Sequence, residues 1–197
     1  MKKIGVLFLL SVLMLGCVSA KMRTRQDIVT GNTIYYGYSW TTGSKDVTHD
    51  FNKTTDLSAT LVADPIKNTK RMDFSVMKMK GIGTLISLIE SKQDEFVEKL
   101  NGKEAYTIDV KNIKITNGTD EFFKEDVGPT KKEYSPSGTP FGNSTVNFLI
   151  EDSDLPELEK IYKSERVILI ATDIYGKEHL GIVKDKTGIL ELIEFLK

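Results

Sequence analysis

The chain is short of the residues that build covalent and metal frameworks. It has one cysteine, two histidines and one tryptophan in 197 residues. One cysteine excludes an internal disulfide, and no Cys/His cluster exists for a structural zinc site. Stability must therefore come from packing. Charge of one sign is also lacking: 27 basic residues stand against 28 acidic ones, for a net charge of −1. No global field draws such a protein to nucleic acid or to anionic lipid, so neither is expected as a partner on net charge. What is present is globular composition, 40% hydrophobic and 28% charged, in a length that suits one domain.

Long hydrophobic runs are lacking too, with one exception. Met1-Lys2-Lys3 is followed by Ile4 to Gly16, thirteen almost wholly apolar positions. A bilayer-spanning helix needs about 20 such residues, so the run matches the core of an export signal. Two cleavage sites are compatible with the residues at its end. Val18-Ser19-Ala20 suits ordinary cleavage before Lys21. Met14-Leu15-Gly16-Cys17, with the chain's sole cysteine after a glycine, resembles the lipobox of bacterial lipoproteins. That resemblance implies an acylated Cys17 as first mature residue, exported and anchored to a membrane of the bacterial cell envelope. Residues 1–16 are then a signal peptide, 17–32 a lipidated N-terminus and tether, and 33–197 a single domain. Two or more acyl chains hold a protein stably where one holds it marginally.

In the mature part, Ile34, Tyr36, Tyr38 and Trp40 recur at period two and predict a core-facing strand side, with Tyr35 left on the exposed side. Leu57–Asp64 reads as a second strand, closed by Asp64-Pro65 and Lys67-Asn68. Arg71–Lys80 reads as a third, with a bulge where the alternation slips at Met77. From 84 to 100 the period changes to that of a long amphipathic helix stopped by Asn101-Gly102. Residues 104–117 return to strand, with a parity break at Lys111-Asn112 that predicts a bulge or turn.

Residues 128–143 hold Pro129, Pro136 and Pro140 among several glycines, which predicts a long exposed loop. Thr145–Glu151 predicts a strand. Asp154, Pro156 and Glu157 predict a capped short helix buried through Leu155, Leu158, Ile161 and Tyr162. Two strands joined at Tyr175-Gly176 and a terminal helix from Thr187 complete the chain. The predicted class is α+β: a mostly antiparallel sheet with one long and two shorter helices. A β-sandwich with decorating helices is the alternative.

No catalytic or metal set and no cofactor motif emerges. His49-Asp50 could join His179 and an acid such as Asp173, but nothing in their spacing requests it. No G-x-S-x-G elbow is present, and Gly81-Ile82-Gly83 lacks the lysine and third glycine of a phosphate loop. Ligand contact is instead expected at Tyr35, Trp40 and Tyr134, because aromatic residues and exposed loops on a rigid scaffold serve recognition. The expected function is a lipid-anchored, non-enzymatic envelope binding or assembly module, partnered by the membrane through Cys17 and by an envelope protein or glycan. The alternatives are an exported hydrolase or metal-dependent enzyme using His49, Asp50 and His179, and a secreted unanchored inhibitor or adhesin.

Overall fold

The computed structural model describes residues 21–41, 44–45, 53–80, 106–135 and 141–197. Within them lie strands β1 (Arg23–Gln26), β2 (Thr33–Thr41), β3 (Ser44–Lys45), β4 (Lys53–Asp64), β5 (Thr69–Lys80), β6 (Val110–Thr116), β7 (Glu121–Lys124), β8 (Lys131–Ser135), β9 (Phe141–Leu149), β10 (Ile168–Asp173) and β11 (Glu178–Asp185). Two nine-residue helices, α1 (Leu155–Lys163) and α2 (Thr187–Phe195), complete them.

Every ladder is antiparallel, in the order β7-β6-β10-β11-β2-β4-β5-β9-β8, with β1 beside β2 and β3 beside β4. The sheet curls over on itself, so that Phe122 of the edge strand β7 stacks on Phe148 of β9 at 6.2 Å. Strand β11 joins the halves: residues 178–182 pair with β10, and Val183 and Asp185, with a register shift between them, pair with Thr41 and Trp40 of β2.

The core lies inside this curl. Leu57, Leu61 and Phe74 from one half meet Ile113, Ile115 and Leu169 from the other. Helix α1 adds Leu158, Ile161 and Tyr162, and α2 adds Ile189, Leu192 and Ile193, all fully enclosed. Each such side chain contributes about 1.5–3 kcal/mol relative to remaining in water. Both sides of the core are thus sheet, and the two short helices pack onto it. The α+β expectation is corrected accordingly: the fold is close to the sandwich alternative. The helix predicted for 84–100 lies outside the described residues.

Several local expectations change as well. Strand β2 faces the other way: Gly37, Ser39 and Thr41 are buried, and Tyr36, Tyr38 and Trp40 stand half-buried on the outer face. The inner face must be small because α2 crosses it closely. A Cβ on Gly37 would lie 2.5 Å from the carbonyl oxygen of Gly188. No bulge interrupts β5, whose register with β4 runs unbroken from Thr69 to Lys80. The bulge expected at Lys111 is present, since Thr172 pairs with Asn112 and Asp173 with Val110.

Within the segment 128–143, expected as an open loop, Lys131–Ser135 (β8) instead pairs with β9 from Phe141 onward, and residues 136–140, with Pro136 and Pro140, lie outside the described residues. The capping box sits three residues before its predicted place: Glu151 N–H donates to Asp154 Oδ2 at 2.9 Å, ahead of a 3-10 turn that leads into α1. The folded domain also begins earlier than residue 33. Met22 N–H donates to Glu191 Oε2 of α2 at 2.8 Å, and β1 pairs with β2 from Arg23 onward.

Candidate functional site: a basic groove with apolar turn tips

Three strand ends converge at one rim of the sheet. Asp27 begins the β1–β2 turn, and its Oδ1 accepts the N–H of Val29 at 2.8 Å and of Thr30 at 3.3 Å. These two bonds hold the Asp27 carboxyl below the usual carboxylate range. Asp64 does the same for the β4–β5 turn, accepting the N–H of Ile66 and of Lys67, each at 3.2 Å. Asn68 there takes the left-handed conformation, φ 50°, that asparagine tolerates. Both are Asx turns, in which a short acid replaces the next backbone acceptor.

The turns lie side by side because Tyr35 of β2 pairs with Ala63 of β4. The end of β9 joins them, since Leu149 pairs with Arg71. Between these elements runs a groove of about 580 Å³. Val62, 3% exposed, forms its floor, with Ile34 and Tyr36 beside it. Arg25, Lys67, Lys70 and Arg71 line it, against the carboxylates of Asp27 and Asp64. Arg71 is bound to Asp73 (Nε to Oδ1, 2.9 Å), which raises its pKa further, and Lys70 reaches Asp152 at 2.5 Å. Arg25 has no carboxylate partner among the described residues.

Around the mouth stand large apolar side chains in water: Ile28 at 90% exposure, Val29 at 93%, Ile66 at 72% and Leu149 at 69%. From the groove an aromatic row continues along β2. Tyr36 and Tyr38 stack at 6.3 Å, and the Arg23 guanidinium lies 5.7 Å from the Tyr38 ring centre. This surface offers cations, aromatic faces and aliphatic tips to a partner.

The residues expected to bind do not gather here. Tyr35 stacks on Phe195 of α2 at 4.5 Å and packs against the core. Trp40 is half-buried on the outer face of β2, at the join with Asp185. Tyr134 stacks on the buried Tyr106 at 5.9 Å. Cys17, His49 and Asp50 lie outside the described residues.

His179 and Asp173, weighed together as metal ligands, do meet, with Nε2 to Oδ2 at 3.3 Å. Both are under 10% exposed, and Asp173 Oδ1 is already bonded by the N–H of Tyr175 and of Lys177. The pair braces the β10–β11 hairpin. Among the described residues no group of three or more potential metal ligands comes together.

The groove itself escaped sequence reasoning because it joins three distant segments. Its one local signal was an apolar residue at each turn tip, Ile28-Val29 and Ile66, where polar residues are the rule. Compared with family models, curated proteins and solved structures, the chain matches none.

Proposed function

We propose that this protein is a bacterial envelope lipoprotein, held to a membrane through acylated Cys17, whose folded domain is a binding module rather than an enzyme. The observation that carries the reading is Gly16-Cys17 at the end of the apolar run behind Met1-Lys2-Lys3. The groove and the aromatic row of β2 support the binding role, because they place cations and large apolar surface at one accessible rim. An envelope protein, a glycan or lipid is the class of partner such a rim accepts.

The experiment is intact-mass measurement of the mature chain, together with metabolic labelling by a palmitate analogue. The expected mature N-terminus is Cys17 carrying acyl groups, with label absent from Cys17→Ser. A mature chain beginning at Lys21 overturns the anchor and favours the secreted, unanchored reading.

A further inference from the structure

We propose that the rim formed by the β1–β2 and β4–β5 turns docks directly onto an anionic phospholipid bilayer, with Ile28, Val29 and Ile66 entering the interface and Arg25 meeting lipid phosphate. The orientation of the domain rests on the anchoring of Cys17 proposed above.

Four large aliphatic side chains, 69–93% exposed, stand together at this rim. A soluble surface gains nothing from such a cluster, whereas an interface accepts apolar tips flanked by basic residues. The local acids are already engaged. Asp27 and Asp64 close their own turns, while Asp73 and Asp152 match Arg71 and Lys70. Arg25 is left to meet an external anion, and a basic residue beside an anionic leaflet adds attraction.

The length of chain ahead of the domain puts this rim within reach of the anchor. Met22 is fixed to Glu191, and five residue steps back to Cys17 span at most about 17 Å. From Met22, β1 runs toward the turn tips for four residues, about 13 Å. The reach from Met22 to Cys17 thus exceeds the length of β1. The other apolar turn, Ile174-Tyr175, lies in the opposite direction along the sheet from Met22. Following the register from Gly37 to Thr41, across to Val183 and on to Glu178 covers about 30 Å of strand.

The test uses the mature chain, residues 17–197, carrying Cys17→Ser, so that no acyl group contributes to binding. It is sedimented with vesicles of phosphatidylcholine alone and of phosphatidylcholine with about 30% phosphatidylglycerol, a proxy for an anionic leaflet. Sedimentation with the mixed vesicles is expected. The double change Ile28→Asp and Val29→Asp is expected to lower partitioning at least tenfold, and Arg25→Glu to weaken binding to mixed vesicles more than to neutral ones. Ile174→Asp with Tyr175→Asp, at the opposite end, is expected to leave binding unchanged. Circular dichroism confirms that each variant is folded.

Failure of the Cys17→Ser chain to sediment with mixed vesicles overturns the docking. So does equal loss from the two double variants, or no loss from the turn-tip pair. Because acylation is read separately by mass, a mature chain starting at Lys21 would overturn the anchor while this binding result stands or falls independently.

Discussion

The hydroxyl of Ser39 lies 3.0 Å from the phenol oxygen of Tyr162, and both side chains are fully buried. Ser39 Oγ also donates to the carbonyl of Ala59 at 3.3 Å, so the Tyr162 phenol donates to Ser39 and the relay ends on β4. Helix α1 is thereby joined to two neighbouring strands through the one polar atom of its apolar face. Ser39→Ala leaves a buried phenol unsatisfied and is expected to cost about 1–3 kcal/mol, whereas Tyr162→Phe removes only the bond and costs about 0.5–1.5 kcal/mol. Urea denaturation of both single variants and the double variant measures the coupling.

Burial pushes the Tyr162 phenol well above its ordinary value. The unfolded phenol ionises near pH 10, at about its reference value, so the unfolded state loses its proton first. The stability held by the neutral phenol is present below that pH and is lost as pH rises above it. Alkaline titration followed at the phenolate absorbance is expected to show Tyr162 ionising only as the chain unfolds, and Tyr162→Phe to be less sensitive to base.

Gly37 is expected to tolerate no side chain. An added Cβ meets Gly188 oxygen at 2.5 Å and Ile189 Cα at 2.9 Å, both backbone atoms that no rotamer change can move. Gly37→Ala should cost about 1–3 kcal/mol as α2 is pushed off β2. The midpoint of chemical denaturation checks it, and an unchanged midpoint would mean that α2 can shift without loss.

His179 makes stability fall in mild acid. Burial lowers its pKa, opposed by the bond to Asp173 and reinforced by the charges of Lys78 and Lys177. The unfolded histidine, with a pKa of about 6.5, takes up its proton before the folded one. The stabilisation is therefore complete above that value and is lost as pH falls below it toward the folded pKa. Denaturation midpoints at successive pH values, compared with His179→Gln, are expected to show a smaller loss in the variant.

The facing of β2 and β4 makes a further contrast. Leu61 is fully enclosed, and Leu61→Ala should cost about 2–5 kcal/mol through lost transfer energy and a cavity. Tyr38→Ala, on the half-buried outer face, should cost clearly less, although tyrosine is the larger residue. The two unfolding curves, recorded side by side, decide it.

What could be read from the sequence was whatever depended on a single element. The stripe Leu155, Leu158, Ile161 and Tyr162 follows from the helical period alone, and its burial needs only some apolar neighbour. Lys111 betrays its bulge because the apolar parity changes across it. The facing of β2 was not legible. Its alternation shows two distinct sides, but which one is inner depends on how closely α2 approaches, and that is a property of residues far apart in the chain, Gly188 against Gly37. Met77 misled for a related reason, since a half-buried methionine on the outer face imitates a phase slip.

The candidate site was less legible than the fold. Arg25, Ile66 and Leu149 come from three hairpins, and their meeting depends on pairings such as Tyr35 with Ala63 and Arg71 with Leu149. No local period encodes such registers. Tyr35 is held against the edge of the core by its stack on Phe195, a residue at the far end of the chain.

Strand β11 ties the two halves of the sheet together through two rungs, Val183 with Thr41 and Asp185 with Trp40, whereas β4 and β5 share twelve. Opening free energies differ across a protein with such local bonding. Deuterium uptake by the backbone should accordingly begin along this seam, well before the long hairpin exchanges.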